Sequence, residues 1–384
     1  MNILIIHNKY RFAGGEDTVV ENEVKLLQSH GHQVTTYLVS NEQIGKKGLA
    51  GKLLLPFRTL YSFQSRREVS RLIRENQIEV VHVHNTLPLI SFSVYSAAKK
   101  QGCRLIQTLH NMRFVCANGL LYRDGHNCEE CLQKGMMHSV KYGCYRHSKA
   151  QTMLVDVMFW IHRRIGTFQK PDCYMVLTKF CEEKLRKAVP PEKMMLKANY
   201  VSGGKEIAEK EAFFVCVGRT ERIKGTFEVL DAFAGMPDQK LVLIGEGEDF
   251  AELREVTLKR GMTNVEMKGK LSHEETLSYI ARAKGLIFAS RLYEGMPMTI
   301  LEAYANGCPV IAADTPNVCT IVRDGHTGFL YHVGDSKDLA EKIALAGTLP
   351  EERYQSLCRE AYAEYERKYS EEIIYQKLMK AYQR

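Results

Sequence analysis

Two domains of the doubly wound α/β type are predicted, on three observations. The chain has 384 residues, more than one hydrophobic core ordinarily organises. Short unbroken apolar runs, each followed by a loop and then by a helix-spaced apolar pattern, recur from Asn2 to Ala312. Charge divides along the same line: residues 1–200 carry 29 Lys and Arg against 16 Asp and Glu, net +13, whereas the remainder carries 24 against 29, net −5. The first half is therefore the part expected to meet something anionic.

In order, Asn2-Ile-Leu-Ile-Ile6 reads as a buried first strand, Gly14 and Gly15 as its loop, and Val19, Val20, Val24, Leu26 and Leu27 as the apolar face of the helix that follows. A second strand over 31–38 closes this unit. Further strands are predicted over 79–85, 104–110 and 172–178, with a helix over 92–101. Ligands of open parallel sheets bind beyond the carboxyl ends of the strands, and His110 stands at such an end; His82 and His84 share one strand face and read as packed, hydrogen-bonded residues. Pro190-Pro191 and the stretch 197–204 mark the boundary at about residue 200. A second set of strands follows at 213–217, 240–244, 265–269, 285–290 and 309–312, giving two domains that face each other across a cleft.

Residues 46–74 mix Lys46, Lys47, Lys52, Arg58, Arg66, Arg67, Arg71 and Arg74 with Leu53, Leu54, Leu55, Phe57, Leu60, Tyr61 and Phe63, and two glycines and a proline keep them from forming one helix. The stretch is either a solvated charged face or a contact for anionic lipid headgroups; nucleic acid is not expected, because no reading module is present. The longest apolar run, 153–161, is too short to span a bilayer and carries Asp156, and the first residues have neither a basic n-region nor a cleavage site. A cytoplasmic protein is expected, peripheral at the inner face of the plasma membrane. Its eleven cysteines should be reduced there. Cys116, Cys128, Cys131 and Cys144, with a C-x2-C pair at 128–131, suggest a tetrahedral structural zinc site; free structural thiols and a redox pair are the alternatives.

The most informative stretch is Glu294-Gly-Met-Pro-Met-Thr-Ile-Leu-Glu302. It follows the apolar strand at 285–290, Pro297 opens a helix, and Gly307 stops it. Two carboxylates thus flank a helix N-terminus, whose unpaired N–H groups can hold a phosphate while the carboxylates accept bonds from sugar hydroxyls. A nucleotide sugar needs both.

With Gly218-Arg-Thr-Glu-Arg-Ile-Lys224-Gly225 after strand 213–217, the stretch resembles the retaining nucleotide-sugar glycosyltransferases of family four (group 1), whose GT-B fold is two Rossmann-like domains around a donor cleft. Asp324-Gly-His-Thr-Gly-Phe-Leu330 matches a further family segment. His82-Val-His-Asn85, Thr108-Leu-His-Asn111, Cys116-Ala-Asn-Gly119 and Lys197-Ala-Asn199 are similar to bacterial transferases of capsular and extracellular polysaccharide synthesis. Ala198 stands where a proline is usual, and the turn at 245–248 lacks its final proline, departures that bear on loop shape.

The resemblance implies an acceptor-side domain over 1–200, a donor-binding domain over 201–367, and a C-terminal helix over about 368–384 packed back on the first. It implies that Arg219 and Lys224 neutralise the departing diphosphate in place of a metal, no Asp-x-Asp being present. Gly14, Gly15, Gly218, Gly295, Met296, Pro297, Met298 and Thr299 would line the donor, Glu302 would take the ribose diol, Glu294 the hydroxyls of the transferred sugar, and His110 would position that sugar. The expected reaction moves a sugar from a nucleoside diphosphate, UDP ahead of GDP, to a lipid-linked or growing glycan acceptor. The rivals are a nucleotide-sugar epimerase of the same fold and a non-catalytic, zinc-built binding module.

Overall fold

Strand order explains where each half can hold a ligand. The computed structural model describes residues 1–383 apart from 11–13, 46–54 and 203–207; Lys46, Lys47, Lys52, Leu53, Leu54 and Gly204 lie outside the described residues. The chain divides into two units, one of Met1–Leu121, Cys128–Asn199 and Ile374–Arg384, the other of Tyr122–Asn127 and Tyr200–Ile373.

The first unit holds a parallel sheet of β1 (Asn2–Lys9), β2 (Gln33–Ser40), β3 (Val80–Val83), β4 (Arg104–Leu109), β7 (Cys173–Val176) and β8 (Met194–Leu196), in the order β2-β1-β3-β4-β7-β8. Ile3 to Ile6 are wholly buried at its centre, as an unbroken aliphatic run with helices on both faces must be. The order reverses between β1 and β3, which opens a crevice beyond their carboxyl ends. Helix Gly15–Ser29 follows β1, and helices Leu55–Leu60 and Phe63–Glu75 precede β3. The last helix, Glu371–Gln383, returns its final ten residues to this unit: the Tyr382 hydroxyl meets His82 Nδ1 at 2.7 Å, Arg104 Nε donates to the Ala381 carbonyl at 2.5 Å, and the Tyr375 hydroxyl meets His32 Nε2 at 3.0 Å. Strand β8 falls inside the stretch read from sequence as boundary loop. It is three half-buried residues at a sheet edge after a proline-led turn, too short to show a period.

The second unit places β9 (Glu211–Val217), β10 (Lys240–Ile244), β11 (Val265–Gly269), β12 (Ala283–Phe288), β13 (Val310–Ala313) and β14 (Gly328–Tyr331) in the order β11-β10-β9-β12-β13-β14, again parallel throughout. Its switch point lies between β9 and β12. The two-stranded hairpin of β5 (Tyr122–Arg123) and β6 (His126–Asn127) groups with this unit, the Asn127 amide donating to the Arg291 carbonyl at 3.2 Å. Among the described residues no helix is long and apolar enough to cross a membrane.

Candidate active site

In the second unit, the loops leaving β9 and β12 meet at the switch point. Residues Arg222–Lys224 make one 3-10 turn ended by Gly225, where φ is +72° and a Cβ would lie 2.1 Å from the Ala289 carbonyl oxygen. Only glycine lets the turn sit this close to the end of β12. The Arg291 N–H donates to the Ile223 carbonyl at 3.0 Å and fixes the approach. Lys224 Nζ is thereby set 2.6 Å from Glu294 Oε1, both side chains about one-fifth exposed. Asn317 Nδ2 holds the Glu294 carbonyl at 2.7 Å. Burial pushes the Glu294 pKa up, but the Lys224 charge and hydrogen bond, the Ser290 hydroxyl and Arg219 outweigh it and keep the carboxyl below the usual range. Arg219 is two-thirds exposed and pairs with Glu221 Oε1 at 2.5 Å.

Helix Met298–Ala305 begins at Pro297 with no side-chain cap, so its first-turn N–H groups have no partner from a capping residue. Met296 and Pro297 are buried, whereas Gly295, Met298 and Thr299 are half-exposed; Gly218, just after β9, is exposed. Glu302 lies on the buried side of the helix, and burial raises its pKa to about 7. His273 Nδ1 stands 3.9 Å away. Near neutral pH the two glutamates therefore differ: Glu294 is ionised and paired, Glu302 half-protonated. The segment 324–330 buttresses this helix, the Thr327 hydroxyl meeting the Tyr304 hydroxyl at 2.7 Å and accepting from the Arg323 N–H at 2.9 Å.

In the first unit, the carboxyl ends of β3 and β4 carry a recess of about 30 Å3, lined among others by Glu16, His84, Asn111, Arg113 and His110. That is room for one or two waters or a hydroxyl-bearing group. Beneath it runs a buried polar chain: Lys197 is ion-paired with Glu23 Oε1, Glu23 Oε2 lies 3.7 Å from His84 Nε2, and His84 Nδ1 is 2.8 Å from His110 Nε2. Burial above all, with Lys197 and neighbouring histidines adding to it, pushes His82, His84 and His110 well below 6.5, so all three are neutral. A neutral imidazole has one donor and one acceptor. In the His84–His110 pair one ring therefore donates and the other accepts, while Glu23 Oε2 and His84 Nε2, 3.7 Å apart, are not hydrogen-bonded to each other. His82 is fully buried between Tyr382 and the Thr108 hydroxyl, as expected of a packed residue. Glu23 eluded the sequence reading although it shares the buried face of its helix with Val19, Val20, Leu26 and Leu27, the one signal that could have found it.

Gly14 caps helix Gly15–Ser29, its N–H donating to Asp17 Oδ2 at 3.1 Å, and among the described residues a Cβ on it would meet nothing within 4 Å. The Cys131 thiol is pushed up to about 12, first by burial and then by Cys116, Cys144, Asp156 and Cys128, so the other three thiols lie within electrostatic reach of Cys131. They do not form a closed shell as they stand: among the described residues the set of three donors within 4.8 Å is Glu23, His82 and His84. That set already holds the Lys197 ammonium, which repels a cation. In the basic stretch, Arg67 and Arg74 are exposed, whereas Arg71 is taken up by Glu68 and Glu75 and Arg66 donates to the Tyr61 hydroxyl at 2.9 Å.

Comparison with known proteins agrees with the fold. The model of "Glycosyltransferase Family 4" matches residues 13–201, and that of "Glycosyl transferases group 1" matches residues 202–364. The chain is 25% identical to an uncharacterized glycosyltransferase of Methanocaldococcus jannaschii over 349 residues, 89% of this chain and 87% of the relative. It is 23% identical to the alpha-monoglucosyldiacylglycerol synthase of Streptococcus pneumoniae over 340 residues, 83% of this chain and 71% of the relative. Its fold matches the Anabaena protein HepE, solved with UDP and glucose, at TM-score 0.66 and 16% identity over 99% of this chain and 98% of the other. With a doubly wound parallel sheet in each half, the chain belongs to the group 1, family four glycosyltransferases of GT-B fold.

Proposed function

We propose that the protein is a metal-independent, retaining glycosyltransferase that moves a sugar from a nucleoside diphosphate donor, UDP ahead of GDP, to a lipid-linked or growing glycan acceptor. The observation that carries this reading is the convergence at the β9/β12 switch point of Lys224, Arg219, the uncapped N-terminus of helix Met298–Ala305 and two carboxylates in different protonation states. In the reaction the anomeric C–O bond to the diphosphate breaks, the acceptor oxygen bonds to the same face of that carbon, and the acceptor proton passes to the departing phosphate. Negative charge grows on the diphosphate, where Arg219, Lys224 and the helix N–H groups stabilise it. Lys224 is positioned in advance by Glu294, which in turn accepts bonds from the transferred sugar; Glu302, once ionised, accepts from the ribose diol. Gly14, Gly15, Gly218, Gly295, Met296, Pro297, Met298 and Thr299 line the donor. His110 positions the transferred sugar through a hydrogen bond to one of its hydroxyls. Support for UDP comes from the HepE complex, and for a lipid-borne acceptor from the diacylglycerol-linked relative.

The enzyme would work in the cytoplasm at the inner face of the plasma membrane, held peripherally by its basic first half against anionic lipid. Cys116, Cys128, Cys131 and Cys144 would hold a structural zinc ion. Their grouping supports it, because a divalent cation that displaces the thiol protons offsets the charge the thiolates would otherwise impose on one another; their spread exceeds the ~3.8 Å between sulfurs in a tetrahedral zinc shell, so binding requires side-chain rotation. Calorimetric titration with UDP, GDP and ADP, followed by a donor-hydrolysis screen in EDTA, tests the central reading. Binding of none of the three, or hydrolysis abolished by EDTA and restored by magnesium, would refute it.

A further inference from the structure

Helix Lys149–Arg164 of the first unit is apolar on its buried and its exposed sides alike. Inward it packs Val155, Met158 and Phe159, with Asp156 buried against the Ser139 hydroxyl at 2.6 Å. Outward, at the i, i+4, i+7 spacing that shares one face, Met153, Val157 and Trp160 are 49%, 36% and 55% exposed, and Ile165 continues the strip at 64%. Between Lys149 and Arg163 the solvent-exposed side carries no charge, since Asp156 and His162 are both buried. A surface helix ordinarily turns charged residues to water, so this strip is adapted to another medium. Cations stand at both ends, Arg146 and Lys149 at one and Arg164, lying 5.8 Å over the Trp160 ring, at the other. The neighbouring helix Leu55–Leu60, joined through His162 Nε2 to the Leu60 carbonyl at 3.0 Å, exposes Phe57 as well.

We infer that the exposed face of helix Lys149–Arg164 is the surface that lies on an anionic bilayer, with Met153, Val157 and Trp160 entering the headgroup boundary and Lys149 and Arg164 on lipid phosphates. The inference rests on the proposed membrane-bound acceptor and moves the apolar anchor away from residues 46–74. Apolar side chains framed by cations, with the aromatic ring beside an arginine, match the interfacial layer of such a membrane. A second copy of the chain fits less well: parallel or antiparallel, two such helices would bring cation to cation at each end.

Trp160 is the chain's sole tryptophan, so the unmodified protein carries its own probe. With vesicles of phosphatidylglycerol and phosphatidylcholine, the full chain should sediment and its emission should shift to shorter wavelength and be quenched by brominated acyl chains. The double variant Met153→Ser, Val157→Ser should partition roughly tenfold less, from the apolar area withdrawn from lipid, while donor hydrolysis and the melting temperature stay near wild type. Sedimentation with unchanged emission would overturn the assignment of this helix and leave the membrane reading standing. No sedimentation at low salt would overturn both. A concentration-dependent dimer lost in the double variant would assign the face to self-association instead.

Discussion

Glu302 couples donor binding to pH in a way that can be calculated. Its side chain is 9% exposed, and burial holds its pKa at about 7 against the ordinary glutamate value of 4.5. If only the carboxylate accepts the ribose diol, the ionised fraction sets affinity: about nine-tenths at pH 8 and about one-tenth at pH 6, hence a roughly tenfold weaker Kd at the lower pH, with about half a proton released per donor bound at pH 7. UDP-glucose suits the measurement because its diphosphate does not titrate in this window. Titration calorimetry in buffers of different ionisation enthalpy gives both numbers; Glu302→Gln should abolish the slope, whereas His273→Ala should keep it. The linked stability term has a definite sign. An acid with a raised native pKa binds more protons folded than unfolded between about 4.5 and 7, so stability falls as pH rises through that window and stays low above it. The cost is about 3 kcal/mol by the pKa difference, which Glu302→Gln should recover at pH 8 as a higher melting temperature. A wild-type Kd constant within twofold from pH 6 to 8, with no proton released, would refute the role given to Glu302.

Three further outcomes are expected. Lys224→Ala and Arg219→Ala should each lower turnover roughly 100- to 1,000-fold, the loss of one preorganised donor to developing charge, with activity retained in EDTA; near-normal turnover in both would remove the clamp. Gly225→Ala places a Cβ 2.1 Å from the Ala289 oxygen at φ +72°. It should cost at least about 1–2 kcal/mol by denaturant unfolding from the backbone conformation alone, and should reduce turnover as Lys224 moves; wild-type stability would mean that the turn yields freely. Elemental analysis should find about one zinc per chain, lost with thermal stability in Cys128→Ser, Cys131→Ser, because metal binding and local folding are coupled; a stable, active, zinc-free protein would remove the site.

The sheets were legible because buried parallel strands are aliphatic runs, and Arg219, Lys224 and Glu294 because they stand at loops following such runs, with Glu302 in the helix after one of them. Helix Met298–Ala305 was likewise announced by Pro297 and Gly307. What escaped lies where partners are far apart in sequence. Glu23 meets Lys197 across 174 residues, His82 meets Tyr382 across 300, and Asn317 reaches the Glu294 carbonyl from another loop. No local period encodes such pairings. The face of helix Lys149–Arg164 was visible only as an apolar run, since which half of it is buried depends on what packs beneath.

The return of residues 374–383 to the first unit has a consequence for the order of assembly. Tyr382 satisfies His82 and Ala381 anchors Arg104, so the interior of the first unit is completed by a segment translated after residues 200–373 of the second. During synthesis the central portion, residues 200–373, can bury its own sheet while the amino-terminal half still waits for its closing helix. The second unit should therefore mature before the first, and a nascent chain stalled before residue 374 should show a protease-resistant second unit and a labile first one.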